Sequence, residues 1–334
     1  MSELNQKALP LLTFATCVVF LICVCVGSVN IPLPDTLSAL FGVYVENTVH
    51  ANIIQNVRTP RVICVALTGA ALSLCGAAMQ GLLRNPLADG STLGVSGGAA
   101  LGAVASMVLG INIPGLPFAG TTVMAILFAF LSLLIILGLT FKVDHTFSTN
   151  TIILMGVVFS MFASSMISLM IAFAGENITS VTFWMMGSLE GSDLTDILLL
   201  GAALLSCGIV ILFLSSELNA FAVGEDNARH VGVNVRLVKL EILIAVSILI
   251  GVCVSIGGSI GFVGLIIPHM TRLLVGPNHK KLLPRCLFLG AIFLMLSDLL
   301  CRVILRPIEL RIGIITSIAG SVTFVFIFIN SRKN

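Results

Sequence analysis

Charge is what this sequence has least of. Only 10% of its 334 residues are Asp, Glu, Lys or Arg, against 57% apolar ones, and mean hydropathy is +1.13. Such a composition excludes a water-soluble globular domain and places the chain among polytopic membrane proteins. A net charge of +2, with no basic run interleaved with aromatics, excludes a nucleic-acid partner.

Catalytic patterns are missing as well. There is no G-x-S-x-G and no H-E-x-x-H, and His50, His145, His230, His269 and His279 fall mostly in loops without partners at ligand spacing. An intramembrane enzyme would need a nucleophile or metal ligands grouped at depth. The phosphate-cradling G-x-x-x-x-G-K-[ST] loop is absent too, so this chain has no such route to ATP. Nine cysteines are scattered through or beside apolar runs without C-x-x-C or zinc-like spacing. They read as small buried hydrophobes.

What is present is a series of apolar runs. A transmembrane helix needs about 20 residues, and ten segments qualify: 8–29, 59–83, 93–111, 116–141, 151–174, 194–214, 237–256, 260–275, 282–305 and 312–329. The first is longer than a signal-peptide core and no A-x-A site follows it, so it reads as a retained helix. The eighth is short and holds Gly261, Gly264 and Pro268. A broken helix at that depth must be buried in protein or line a wet cavity, because lipid cannot satisfy freed backbone groups.

Basic residues set the orientation. With the N-terminus cytoplasmic and ten alternating spans, the inner side receives Lys7, Arg84, Lys142, Arg229, Arg236, Lys239, Arg272, Lys280, Lys281, Arg285, Arg332 and Lys333. The outer side receives Arg58, Arg61, Arg302, Arg306 and Arg311. This asymmetry obeys the positive-inside rule and puts both termini in the cytoplasm. The outer arginines run against the rule. Either they anchor helix ends by snorkelling, or they form a docking site for an acidic partner surface, pairing with its carboxylates bidentately.

Two glycine-rich stretches, GVSGGAALG (94–102) and GGSIGFVGL (257–265), are weakly alike, and each contains a G-x-x-x-G, Gly98/Gly102 and Gly257/Gly261. Such spacing permits close helix approach. The likeness predicts a faint inverted repeat relating spans two to five to spans seven to ten, a device transport proteins use around a central path. Glu241 and Asp298 are the acids placed about a turn or more inside predicted spans. A path otherwise so neutral argues against an ion-coupled secondary transporter and for energy supplied by another subunit.

A handle for that subunit is SSELNAFAVGEDNARHVGVNV, 215–235, the longest polar interval on the predicted inner side. It predicts a short helix containing Leu218 to Val223, a break at Gly224, and a second short helix opening with Glu225 and Asp226, acids suited to a helix N-terminus. Phe221 and Val223 are expected to form an apolar knob that seats in a partner's groove.

The strings RTPRVICVALTGAALSLCGAAMQGLLRNPLADGSTLGVSGGAALGA (58–103), FAVGEDNARHVGV and GGSIGFVGLIIPHMTRLLVGPNHKKLLP (257–284) together strongly resemble the permease family of ABC importers for ferric siderophores, haem and cobalamin. The resemblance covers most of the chain from Arg58 onward. It implies an all-α, single-domain polytopic protein over 1–334, with about ten transmembrane helices in a BtuC-like type II importer fold. It further implies a multi-pass protein of the bacterial plasma (inner) membrane, paired with a second copy or a paralogue. Two cytoplasmic ATPase subunits would carry ATP and Mg, with no cofactor on this chain. An extracytoplasmic binding protein would deliver the ligand.

Residue by residue, the resemblance implies that Arg58, Arg61 and Arg302 dock glutamates of the binding protein. It places Phe221, Gly224, Glu225 and Arg229 in the coupling loop that sits on the ATPase. It sets Asn85 and Leu87, with Thr149 and Asn150 of FSTN, where the path narrows on the cytoplasmic side. The stretch 84–102 is then a cytoplasmic re-entry whose tip closes the pore: Asn85-Pro86 ends one helix and Asp89-Gly90 turns the chain. One departure is ELRIG (309–313), where Arg311 replaces the proline of the family's E-L-P-x-G.

Overall fold

A computed structural model describes residues 2–42, 47–90, 92–111, 119–145 and 148–331. Arg332 and Lys333, assigned above to the inner side, and Phe147 of FSTN lie outside the described residues. The described chain is built of helices: α1 (Ser2–Cys25), α2 (Leu33–Leu40), α3 (Thr48–Asn52), a π-helical stretch (Ile53–Arg58) running into α4 (Thr59–Leu82), α5 (Val95–Leu109), α6 (Ala119–Val143) and α7 (Thr149–Ala172). A 3-10 turn leads to α8 (Ile178–Met185), followed by α9 (Leu194–Phe213), α10 (Ser215–Val223), α11 (Glu225–His230), α12 (Val235–Gly257), α13 (Val263–Val275), α14 (His279–Val303) and α15 (Ile312–Ser331). Each of the ten expected spans coincides with one helix. Six helical stretches are long and apolar enough to cross a membrane, and four shorter apolar stretches lie in α1, α5, α13 and α15. The short helices α2, α3 and α8 were not anticipated, because none is long enough to leave a hydropathy signal.

Close packing at the centre depends on residues without side chains. A Cβ on Gly69 of α4 would lie 2.3 Å from the carbonyl oxygen of Gly290 in α14, and one on Gly76 would lie 1.8 Å from that of Gly264 in α13. Backbones in contact at that range gain dispersion that lipid-facing helices otherwise lack. Gly98 and Gly102 serve α5 in the same way against Ser132 and Met124 of α6. The second G-x-x-x-G does not. Helix α12 ends at Gly257, and Gly261 has open space around it, so this pair belongs to a turn rather than to a helix interface.

The inverted repeat faint in the sequence is plain in the packing. Matching α4, α5, α6 and α7 to α12, α13, α14 and α15 turns each interface of one half into one of the other: α4–α14 into α12–α6, α5–α6 into α13–α14, α5–α7 into α13–α15, and α5–α12 into α13–α4. Arg61 near the start of α4 meets Asp298 near the end of α14, while Arg236 at the start of α12 lies 5.8 Å from the ring centroid of Phe141 near the end of α6. Both pairs are therefore antiparallel, and the two halves run in opposite directions.

The third and eighth spans are both half-helices. At 1.5 Å per residue, α5 with 15 residues and α13 with 13 fall short of a hydrocarbon core of about 30 Å. Non-helical chain, 83–90 with 92–94 and 258–262, precedes each of them and contributes to the lining of a cavity, a setting in which freed backbone groups are tolerated. Both half-helices are entered through a left-handed residue, Gly94 (φ 81°) and Phe262 (φ 68°). Phe262 fits there because Gly320 of α15 leaves room for its ring: a Cβ on Gly320 would lie 2.5 Å from Phe262. The two non-helical segments face one another across a central cavity of about 240 Å³ lined by Leu87, Asp89, Thr92, Ile250, Ser259 and Phe262, among others.

Candidate functional site

The polar hairpin forms as two helices hinged at Gly224, whose φ of 127° and ψ of 150° suit glycine. Helix α10 lies with one side against the body: Ser215, Leu218 and Phe221 turn inward and Ala222 and Val223 outward. Phe221 is 0% exposed, so it is a core anchor and no part of the expected knob. The exposed apolar groups are Val223 and Val231, 69% and 73% accessible, standing beside Asp226, Asn227, Arg229 and His230, which are also exposed. Arg229 pairs with Asp226 at 3.3 Å on the surface, where such a pair contributes little.

Glu225 is held more firmly. Its Oε1 accepts hydrogen bonds from Lys239 Nζ at 2.7 Å and from Thr149 Oγ1 at 2.9 Å. Lys239 belongs to α12 and its side chain is 4% exposed, so Glu225 supplies the countercharge that an enclosed ammonium requires. One carboxylate thus ties the second hairpin helix to the start of α7 and the first turns of α12. Thr149, Asn150, Arg84, Gly224, Glu225 and Asn227 line an open groove of about 720 Å³.

The four expected gate residues are not brought together. Thr149 and Asn150 border that groove, whereas Leu87 lines the central cavity. Asn85 stabilises the intervening turn, its side chain accepting from Leu87 N at 2.9 Å. Termination of α4 also comes slightly before Asn85-Pro86: the helix ends at Leu82, and Arg84 takes a left-handed φ of 48°. Asp89 turns the chain as expected, accepting from Thr92 N at 3.1 Å.

At the opposite end of α4 the arginines expected on an exposed docking surface are enclosed. Arg58, Arg61 and Arg302 are 5%, 6% and 2% exposed. Arg58 donates to the carbonyls of Val24, Cys25 and Val29, and Arg302 to those of Cys23 and Val26. Together they satisfy the carbonyls a helix leaves unpaired at its C-terminus, here that of α1, where positive charge is also favoured by the helix dipole. Gly27 makes room for this, since a Cβ there would come 2.7 Å from the Arg58 guanidinium. Arg61 binds two carboxylates, Asp298 Oδ1 at 2.8 Å and Glu309 Oε2 at 2.6 Å. Arg302 Nε lies 2.9 Å from Asp298 Oδ2.

Burial alone would raise the Glu309 carboxyl, yet the charge and hydrogen bond of Arg61, helped by the Ser28 hydroxyl and by Arg302, hold it below the ordinary glutamate range. Charge counting missed these partners. A signal was available in Asp298-x-x-x-Arg302, an acid and a base one helical turn apart inside a span. Glu241, the other acid inside a span, sits on the exposed face of α12. Among the described residues no group of three or more His, Cys, Asp or Glu could hold a metal ion.

Comparison with known proteins places this architecture. The model of the FecCD transport family matches residues 15–330. The uncharacterized ABC transporter permease protein YvrB of Bacillus subtilis is 43% identical over 313 residues, 92% of this chain and 89% of that protein. The vitamin B12 import system permease protein BtuC of Salmonella typhi is 36% identical over 330 residues, 98% of this chain and 97% of that protein. Among solved structures, a metal-chelate type ABC transporter in an inward-facing conformation superposes with a TM-score of 0.86 at 31% identity, covering 97% of this chain and 99% of that one.

Proposed function

Because this chain belongs to the FecCD transport family, and is thereby a multi-pass permease of the FecCD/BtuC importer type, we propose a specific cargo and a division of labour among its residues. The cargo is a metal chelate, in the first reading a ferric siderophore. The observation that carries the chelate class is the likeness to a metal-chelate type transporter over nearly the whole chain. Cobalamin is the second reading, favoured by the vitamin B12 permease at 36% identity, and haem the third. Proteoliposomes holding the complete importer, offered labelled ferric siderophores, cobalamin and haem in competition, test this. Saturable uptake of a ferric siderophore supports the first reading, and uptake of cobalamin or haem alone overturns it.

In this proposal two permease chains, identical or paralogous, pair in the bacterial plasma (inner) membrane with their termini in the cytoplasm and the path along the axis between them. Two ATPase subunits seat against α10 and α11, where Val223 and Val231 offer apolar contact among charges, and Gly224, Glu225 and Arg229 belong to the same element. Phe221 acts from inside, fixing α10 to the body so that a push on the hairpin is not absorbed locally. Glu225 carries that push to Thr149, which with Asn150 borders the groove at the cytoplasmic narrowing, while the turn of Asn85 and Leu87 forms a separate constriction beside the central cavity. Arg58, Arg61 and Arg302 form the charged floor on which an extracytoplasmic binding protein docks.

A further inference from the structure

The docking proposal meets a physical obstacle: the guanidinium that should receive a partner's carboxylate is already occupied. Arg61 is 6% exposed and carries Asp298 and Glu309 together. Those two acids differ in how they are held. Asp298 stands within α14 with its side chain 2% exposed, wedged between Arg61 and Arg302. Glu309 lies in the segment 304–311 between α14 and α15, and its side chain is 21% exposed. It is the member of the network reachable from outside.

We propose that Glu309 is a stand-in carboxylate, which occupies Arg61 while no binding protein is docked and gives it up to a carboxylate of that protein. This rests on the docking role proposed above and adds its mechanism. A second group is prepared for the incoming anion: Arg302 Nη2 is buried without a hydrogen-bond partner among the described residues, although Arg302 is 2% exposed. Leaving such a donor unmet is costly, and a carboxylate between Arg61 and Arg302 would satisfy it. The exchange conserves charge, one carboxylate replacing another on Arg61, so no buried guanidinium is stranded at any stage.

Displacing Glu309 has a mechanical consequence, because the residues after it are fastened to the neighbourhood of α8. Leu310 N donates to Cys301 O at 3.1 Å, and Ile312 N donates to Gly187 O at 3.1 Å. Arg311 reaches Glu190 at 3.1 Å and lies 5.1 Å from the Phe183 ring centroid. Gly313 is in tight contact, since a Cβ there would come 2.3 Å from Met186 O. Freeing Glu309 therefore removes the tie to Arg61 from a strap that joins α14 and α15 to the end of α8, leaving it held by its remaining contacts. Docking and rearrangement of this end become one event.

The test is the affinity of the cognate binding protein for the complete importer in lipid nanodiscs, compared among wild type, Glu309→Gln, Glu309→Asp and Arg61→Gln. Removing the competing charge should tighten docking at least about tenfold in Glu309→Gln, the equivalent of about 1.4 kcal/mol. Glu309→Asp, which keeps the competitor, should stay close to wild type, and Arg61→Gln should weaken docking. Unchanged or weaker docking in Glu309→Gln, with the complex intact and docking still lost in Arg61→Gln, overturns the exchange while leaving the docking role standing. Unchanged docking in Arg61→Gln removes the docking role itself. Should Glu309→Gln fail to assemble, Glu309→Ala gives the same measurement: tighter docking there supports the exchange, and unchanged or weaker docking with the complex intact overturns it.

Discussion

Thr149 Oγ1 donates to Glu225 Oε1 at 2.9 Å, joining the first residue of α7 to the first residue of α11. A residue expected at the cytoplasmic narrowing and one expected to face the ATPase, 76 positions apart in sequence, are therefore in direct contact. The same carboxylate holds the enclosed Lys239 ammonium. The hairpin is thus bonded to two long helices at once.

Thr149→Val should separate transmission from assembly. Valine keeps the shape and leaves the Glu225–Lys239 pair in place, so the ATPase should still bind and hydrolyse ATP. Cargo moved per ATP should fall about tenfold or more, in keeping with the loss of about 1.5–3 kcal/mol for one hydrogen bond to a charged group. Parallel measurement of uptake and hydrolysis in proteoliposomes checks this, and an unchanged ratio would remove the link.

Asp298→Asn should destabilise the opposite end. The buried Arg61 and Arg302 would share one fewer charge partner, and breaking an enclosed ion pair from one side costs on the order of 3 kcal/mol. The thermal unfolding midpoint in detergent should drop by several degrees. A midpoint equal to wild type would show that the arginines are satisfied without Asp298.

Glycine substitutions should sort by contact. Gly76→Ala puts a Cβ 1.8 Å from a backbone oxygen, whereas Gly138→Ala meets nothing within 4 Å. The first should abolish accumulation of folded protein, because two backbones would have to separate. The second should be neutral or slightly stabilising, since alanine is the better helix former. Folded yield by size-exclusion chromatography distinguishes them, and equal yields would contradict the packing at α4–α13.

Glu309 gives a pH signature of defined sign. Its carboxyl is held below the ordinary glutamate range by Arg61 against the opposing effect of burial. A lowered folded-state pKa contributes stability that is present above the unfolded value, about 4.3, and is lost as pH falls through the folded value. The difference in thermal midpoint between wild type and Glu309→Gln should therefore stay constant from pH 7 down to about 5 and close only below the ordinary glutamate pKa. Closure between pH 6 and 7 would contradict the Arg61–Glu309 pairing.

Periodicity and composition made the long helices legible, and turn chemistry made the hairpin legible: Gly224 breaks it, and Glu225 and Asp226 open its second helix. Length of run could also flag α13 as irregular, though not that α5 is its counterpart. That relation lives in the matched interfaces and in the left-handed entries at Gly94 and Phe262, which a weak sequence likeness only hints at. The arginines are enclosed where the pattern suggests exposure because carbonyls at the end of α1 and side chains from α14 and the segment 304–311 meet them from distant positions. Phe221 was misjudged for the opposite reason. In a helix of nine residues, which side faces the body is set by α4 and α14, not by its own pattern.

The central claim is that this permease moves cargo only when force enters through α10 and α11. The most direct measurement is uptake into proteoliposomes containing the permease and its binding protein, with and without the ATPase subunits, at saturating ATP. Accumulation should depend wholly on the ATPase, and cargo carried inward at the full rate without it would contradict the account.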